Sequence, residues 1–307
     1  MENFNHNAYA KVFMKTNSII MSIFLSLGMK RLAWAFRRMH CPVPEEALVL
    51  EVGSGGNPYF RANVLADAYA TTRERHWAPL VTDRPSVMGF GESLPFKDKV
   101  FDFVIASHVL EHSSEPEKFI NELERVAKAG YIETPDAFME RINPYWDHRS
   151  EVTVRDGQLL IRKKNDWNID SDLVDLYEHT AKKIIAQKTI VNEPFTFHMR
   201  YFWNDKIPYK ILNPDTDSNW PAPDFSQTTK LSTSIRAKIG RFVLYLARIF
   251  LSQNKRNREI NLNALLICPS CKSQHLAFEK EHIRCTPCSC EYQIKDGIPE
   301  MYPVGNT

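Results

Sequence analysis

Apolar positions along the chain switch between two periods. Residues 47–52, ALVLEV, form an unbroken apolar run stopped by glycines, which predicts a buried strand. Residues 63–67, NVLAD, predict a second, shorter strand, and residues 101–107, FDFVIAS, a third. Strands apolar at every position suit a parallel sheet covered on both faces. Over residues 113–130 the period lengthens. Phe119, Ile120, Leu123 and Val126 make one helical stripe, Ser113 or Ser114 offers a cap, Pro116 suits the first turn, and Gly130 is expected to end the helix. YIETP (131–135) then reads as the next strand, stopped by Pro135. This alternation predicts an α/β fold, a mostly parallel sheet with helices on both faces.

The flanks read differently. Residues 1–40 are expected to be helical. Their apolar run, 18–29, is cut by Lys30 and Arg31 and is too short to span a bilayer, which needs about 20 apolar residues. No small-residue cleavage site follows it. It reads first as a helix packed on the main domain. A sharper reading is an interfacial helix, with Arg37 and Arg38 facing anionic lipid. Residues 136–230, rich in aromatic residues, Asn, Asp and Pro, are expected to complete the sheet and add a substrate-facing insertion. Residues 232–252 form an amphipathic helix, with Ile239, Phe242, Val243, Leu246, Ile249 and Phe250 on one side and Lys238, Arg241, Tyr245 and Arg248 on the other. A polar linker, 253–261, precedes a cysteine-rich end. The expected division is a helical segment 1–44, a main domain 45–230, helix and linker 231–262, and a small domain 263–307.

Composition narrows the classes. The 307 residues are 43% hydrophobic and 25% charged, ordinary for a globular protein, and a net charge of +2 gives no global case for a nucleic-acid partner. Cys41 stands alone, while Cys268, Cys271, Cys285, Cys288 and Cys290 crowd together, which suggests a local metal knot.

The first strand ends in Glu51 and runs into GSGGNP at the carboxyl edge of the sheet, where open α/β folds bind ligands. Glycines let a ligand touch backbone. Pro58 stands where a dinucleotide fingerprint needs its last glycine, and no Gly-Lys-Ser/Thr follows, which excludes a P-loop. An acid before the turn suits a cationic adenosyl cofactor better than a pyrophosphate, because carboxylates stabilise cations in a partly dry cleft. A glycine turn without a ligand is the bland alternative.

VLEVGSGGNP, ESLPFKDKVFDFVIASHVLEH and FINELERVAKAGYIETP, in that order, resemble the class I S-adenosylmethionine-dependent methyltransferases, in particular the branch that includes the quinone-biosynthesis enzymes. The resemblance covers roughly residues 45–136 and implies a Rossmann-like fold. By it, Glu51, Gly53, Ser54 and Gly55 line the methionine half of the cofactor, Asp67 accepts from the ribose hydroxyls with Asp83 as its rival, and SHVLEH, with Ser107 and His108, closes the pocket. Asn57 replaces the third glycine of the family's first motif. Phe90 replaces its adenine-contacting acid; Phe90 could stack on adenine, or Glu92 could substitute.

Methyl transfer is an in-line displacement that needs alignment and exclusion of water, and a base only where the acceptor must lose a proton. His108 is the first candidate base; His112, and Glu133 with His148, are further ones. Set against these roles, His112 reads as a hydrogen-bonded structural residue and Glu111 equally as a cap, a surface acid or a participant.

The cysteine module carries two C-x-x-C pairs, which bring four thiolates into the tetrahedral arrangement zinc favours: Cys268, Cys271, Cys285 and Cys288, with Cys290 as an alternative ligand. His275 and His282 are further possible ligands. LLICPSC and YQIKDGIPEM resemble the small zinc-ribbon family that activates tRNA, rRNA and release-factor methyltransferases. That implies a structural Zn²⁺ and docking in cis. The combined reading is a cytoplasmic methyltransferase, in possible peripheral contact with the inner face of the membrane, using S-adenosyl-L-methionine on a small-molecule or envelope glycan or lipid-linked acceptor. An RNA or translation-factor methyltransferase is the alternative, and a non-catalytic scaffold the second; nucleic acid is the weaker partner.

Overall fold

The computed structural model describes residues 16–72, 79–166, 180–220 and 235–304. At its centre lies a six-stranded sheet in the order β3-β2-β1-β4-β5-β8. Its strands are β1 (Val49–Val52), β2 (Val64–Asp67), β3 (Ser86–Met88), β4 (Phe103–Ser107), β5 (Ala129–Pro135) and β8 (His198–Asn204). The first five are parallel, and β8 runs antiparallel to β5. Every residue of β1, β2, β4 and β5 is buried, as expected for strands covered on two sides. The chain order reverses between β1 and β4, and the crevice at that switch point receives the glycine turn.

Alternate strand residues feed two cores. Leu50, Val52, Val104 and Ala106 pack towards helix α3 (Pro116–Val126), which presents Phe119, Ile120 and Leu123. Val49, Leu65, Phe103 and Ile105 point the other way, onto Tyr59 and Tyr131. Helix α3 stops at Val126, earlier than Gly130 suggested, and Gly130 lies inside β5. A side chain there would meet the Trp203 indole at 2.7 Å, so the glycine exists to admit that ring from β8.

The apolar N-terminal run is two helices, α1 (Ile19–Ser26) and α2 (Lys30–Phe36), broken at Gly28 with φ +72°. The helical expectation for residues 1–15 lies outside the described residues. A separate three-stranded sheet, β6 (Ser150–Arg155), β7 (Gln158–Lys163) and β9 (Tyr209–Ile211), carries the insertion. Helix α4 (Ala137–Ile142) precedes it, capped by Asp136.

The amphipathic helix α5 spans Ile235–Leu251. The stretch after it, expected to be a polar linker, is helical over Asn254–Glu259 (α6) and is clamped down. Buried Asn257 accepts from Asn63 Nδ2 at 2.8 Å, and Arg256 donates to the carbonyls of Glu45, Glu46 and Ala47. The last unit is an antiparallel sheet, β10 (Leu276–Phe278), β11 (His282–Cys285), β12 (Glu291–Lys295) and β13 (Ile298–Pro299). It does not hang free. Ile267 N–H donates to Pro95 O, Lys97 N–H to Leu265 O, and Met301 N–H to Met88 O at 2.7 Å, so the segment after β13 runs alongside β3 in parallel.

Candidate functional site

The turn after β1 is held open by its own backbone. Gly53 and Gly55 have φ of +71° and +56°, values that penalise any side chain. A Cβ at Gly53 would lie 2.2 Å from Val109 Cγ2, so this glycine also lets the loop after β4 close beneath the turn. Asp67, at the tip of β2, accepts the Gly55 N–H at 2.9 Å and the Tyr69 N–H at 3.0 Å, and so staples the turn to the next strand. Glu51 is buried, with its carboxylate accepting the Tyr59 N–H at 2.7 Å. Burial pushes this carboxyl up to about 7, against the opposing pull of Arg38 and the Tyr59 amide. Ser54 Oγ is buried with no hydrogen-bond partner among the described residues. An acid strained by burial and an orphaned hydroxyl at one bare turn fit a cationic polar ligand. Arg38 donates to the Asn57 carbonyl and so braces the turn, in keeping with the first reading of the N-terminal run as packed on the main domain.

Beyond β3 the rim is aromatic. Phe90 lies 5.0 Å from Tyr302 and 6.3 Å from Tyr69, ring centre to ring centre. Tyr302 comes from the cysteine-rich end and donates to the Ala68 carbonyl at 2.8 Å. Sequence reasoning missed it, because nothing local marks a tyrosine over two hundred residues downstream as part of this rim. Glu92 turns away to take the Ser113 hydroxyl, and Asp83 pairs with Arg84 and Arg248.

On the other side of β4 a charge cluster assembles from remote segments. Glu133, fully buried on β5, accepts from Arg37 twice (2.9 and 3.0 Å), from Ser107 Oγ at 3.0 Å and from Tyr131 OH at 2.5 Å. Burial would raise its pKa, but His108 and Arg37 hold it well below the usual carboxylate range. His108 stands between Glu111 and Glu133, both at 3.2 Å. Burial alone would lower its pKa; the two carboxylates raise it to about 9. An imidazolium has no lone pair to offer, which weighs against the role of base expected for His108. His198, on β8 with its ring centre 5.5 Å from that of His108, is pushed the other way, below the ordinary histidine range, by burial and by that neighbouring charge. No sequence signal singled it out. His148 is buried with Nδ1 2.6 Å from Glu140 Oε2, separate from the cradle.

In the terminal sheet one Sγ from each of Cys268, Cys271, Cys285 and Cys288 lies within 4.8 Å of the others. Cys271 and Cys285 approach to 3.5 Å, and Cys268 and Cys288 to 3.6 Å. Burial would raise the Cys268 thiol, but the Tyr292 hydroxyl and the Cys271 amide outweigh it and bring it to about 7. The donor set is the one zinc favours. Cys290, His275 and His282 fall outside this group.

Residues 50–132 match the family described as "Methyltransferase domain". The chain carries a methyltransferase domain. S-adenosylmethionine is the cofactor expected of such a domain. The match runs from within β1 to within β5, and the rest of the chain lies outside it. A curated relative, the uncharacterized protein MJ1123 of Methanocaldococcus jannaschii, is 48% identical over 44 residues, 14% of this chain and 22% of its own. The matched part thus spans about a fifth of that relative. Among solved structures, a chain of the Haloferax volcanii complex containing the Trm112 methyltransferase activator is 13% identical, with a TM-score of 0.35 over 61% of this chain and 97% of that one. A SAM-dependent methyltransferase from Aquifex aeolicus is 19% identical, with a TM-score of 0.26 over 39% and 75%.

Proposed function

We propose that the whole chain transfers a methyl group from S-adenosylmethionine to a small-molecule or envelope-linked acceptor, such as a glycan or lipid intermediate. The cradle carries this reading: a buried carboxylate with a pKa near neutrality beside an unpartnered serine hydroxyl. Glu51 and Ser54 would meet the methionine half, Asp67 the ribose hydroxyls, and Phe90 with Tyr302 the adenine. The cofactor supplies the methyl group; the chain aligns the acceptor and excludes water. Where the acceptor must lose a proton, His198, whose pKa burial and His108 lower, would serve as the base, with His108 and Glu133 positioning that side of the site.

The acceptor class is supported by apolar surface. Ile19 and Ile23 on α1, and Phe242 and Phe250 on α5, are all more than half exposed. Exposed apolar faces of that kind suit the edge of a bilayer. No helix among the described residues is long and apolar enough to cross one. The four cysteines would hold a structural Zn²⁺ that fixes the terminal sheet against β3. Calorimetry with S-adenosylmethionine and its demethylated product tests cofactor binding. Methyl-labelled cofactor added to fractionated membranes, RNA and small molecules tests the acceptor. Label confined to RNA overturns the acceptor class in favour of the RNA alternative.

A further inference from the structure

A second polar cluster sits behind the loop that follows β4. Glu111 and His112 lie in a short helical turn (Leu110–His112), and His148 lies two residues before β6. The Arg149 N–H donates to the Glu111 carbonyl at 2.6 Å and fastens the two segments together. One carboxylate oxygen of Glu111 and one ring nitrogen from each histidine lie within 4.8 Å of one another.

One heteroatom of each side chain is engaged elsewhere. Glu111 Oε1 faces His108 Nδ1 at 3.2 Å, His112 Nδ1 faces the Asp147 carbonyl at 3.2 Å, and His148 Nδ1 faces Glu140 Oε2 at 2.6 Å. Glu140 is held in turn by Lys164 Nζ at 2.8 Å and the Tyr145 N–H at 3.1 Å. The two imidazoles meet edge to face, 4.8 Å apart. What the cluster leaves over is Glu111 Oε2. It sits on a residue only 1% exposed and has no hydrogen-bond partner among the described residues. Leaving a charged, buried oxygen unmatched is costly, because its desolvation is not repaid.

We propose that Glu111, His112 and His148 bind one divalent transition-metal ion. Two histidines and a carboxylate with open positions are a donor set for Fe²⁺, Mn²⁺, Co²⁺ or Zn²⁺. Partners on each Nδ1 fix the ring orientation and leave Nε2 as the ligand, the outer-shell pattern that metal-bound histidines show. Glu111 supplies the charge that two neutral imidazoles lack. The His112 side chain is about one-third exposed, so the coordination sphere opens towards solvent on that side. The site uses nitrogen and oxygen donors, and the cysteine cluster uses sulfur, so a probe ion distinguishes them.

The experiment is a Co²⁺ titration of the full chain carrying a single equivalent of Zn²⁺, which the four thiolates take first, followed by calorimetry and visible absorption. The expected result is one Co²⁺ per chain, with the weak bands of nitrogen and oxygen ligation and no strong thiolate-to-cobalt absorption. Glu111→Gln and His112→Ala should each lower the affinity by more than about a hundredfold. Glu140→Gln, which removes no ligand, should lower it about 10–100-fold. Part-exposed His112 can be replaced without opening a core cavity, and an unchanged metal-free melting curve confirms that its variant folds. Absence of a Co²⁺ equivalent in the wild type, or affinity unchanged in the folded variants, overturns the site. The measurement needs neither cofactor nor acceptor, so its outcome is independent of the methyl-transfer reading.

Discussion

The two flanks of β4 are built by different rules. On the β1–β3 side the polar groups arrive together. Glu51, Gly53, Ser54 and Gly55 are consecutive or nearly so, and one short strand later Asp67 staples their turn. On the β5–β8 side, Arg37, His108, Glu133 and His198 come from four distant segments and meet only in the folded chain. The first flank is a local device that nearly any version of the fold could carry. The second depends on α2, β5 and β8 all being in place, so it should be the more easily broken by mutation and the more particular to this protein's acceptor.

The largest expected effect lies in what borders the cradle. If the four cysteines hold Zn²⁺, stripping it with a chelator should remove on the order of 10 kcal/mol of local folding free energy from the terminal sheet. Because that sheet shares a core with Phe96 and α3, melting of the whole chain should shift down and cofactor affinity should fall with it. A chelated chain that melts and binds cofactor normally would show that the metal does not matter to the cradle.

Arg37→Ala tests the other flank. It removes a double hydrogen bond from a carboxylate with no exposed side-chain surface, and breaking a buried pair by deleting one partner costs about 3–5 kcal/mol. Thermal melting should show that loss, and methyl transfer should fall further than cofactor binding, since Arg37 touches only the acceptor flank. Equal losses in both would erase the distinction between the flanks.

Glu51→Gln should separate stability from function. A carboxyl raised to about 7 from its ordinary value keeps its proton longer in the folded chain. Apo stability therefore declines as pH rises from about 4.5 to 7 and stays low above that. Gln is neutral throughout and its amide oxygen still accepts from Tyr59. The variant should be more stable than the wild type at pH 8 by roughly 3 kcal/mol, yet bind the sulfonium cofactor poorly. For the wild type, affinity for that cofactor should strengthen as pH rises through about 7. A flat profile would mean that Glu51 does not meet the charge.

The smallest effect concerns the rim. Tyr302→Ala should weaken cofactor binding about tenfold while leaving the sulfur cluster filled, since one aromatic face is worth roughly 1–3 kcal/mol against a base. Tyr302→Phe, which loses only the bond to the Ala68 carbonyl, should change little.

The same contrast governs what could be read without coordinates. The sheet's interior strands were legible because burial on both sides makes them apolar at every position. β3 was not: three residues long, it has too few positions to show a period. β8 escaped because only two of its seven residues are buried, so an antiparallel edge strand carries a weak pattern. The cradle could be proposed from ten contiguous residues. His198, Arg37 as a partner of Glu133, and the pairing of Glu111 with His148 could not, since each depends on which strands lie side by side. Polarity misled over residues 253–261. Asn257 is polar because it answers the buried Asn63 amide, and Arg256 because it ties down the carbonyls of residues 45–47, not because the segment is loose.

The contact between Met88 and the residues after β13 joins positions roughly two hundred apart in sequence. A nascent chain would have to extend past Met301 before this seam could zip, and closing so distant a pairing is slow. Until then β3, the edge strand of the central sheet, would lack its outer neighbour. A copy that stops short of Met301 would therefore leave the outer edge of the sheet unzipped.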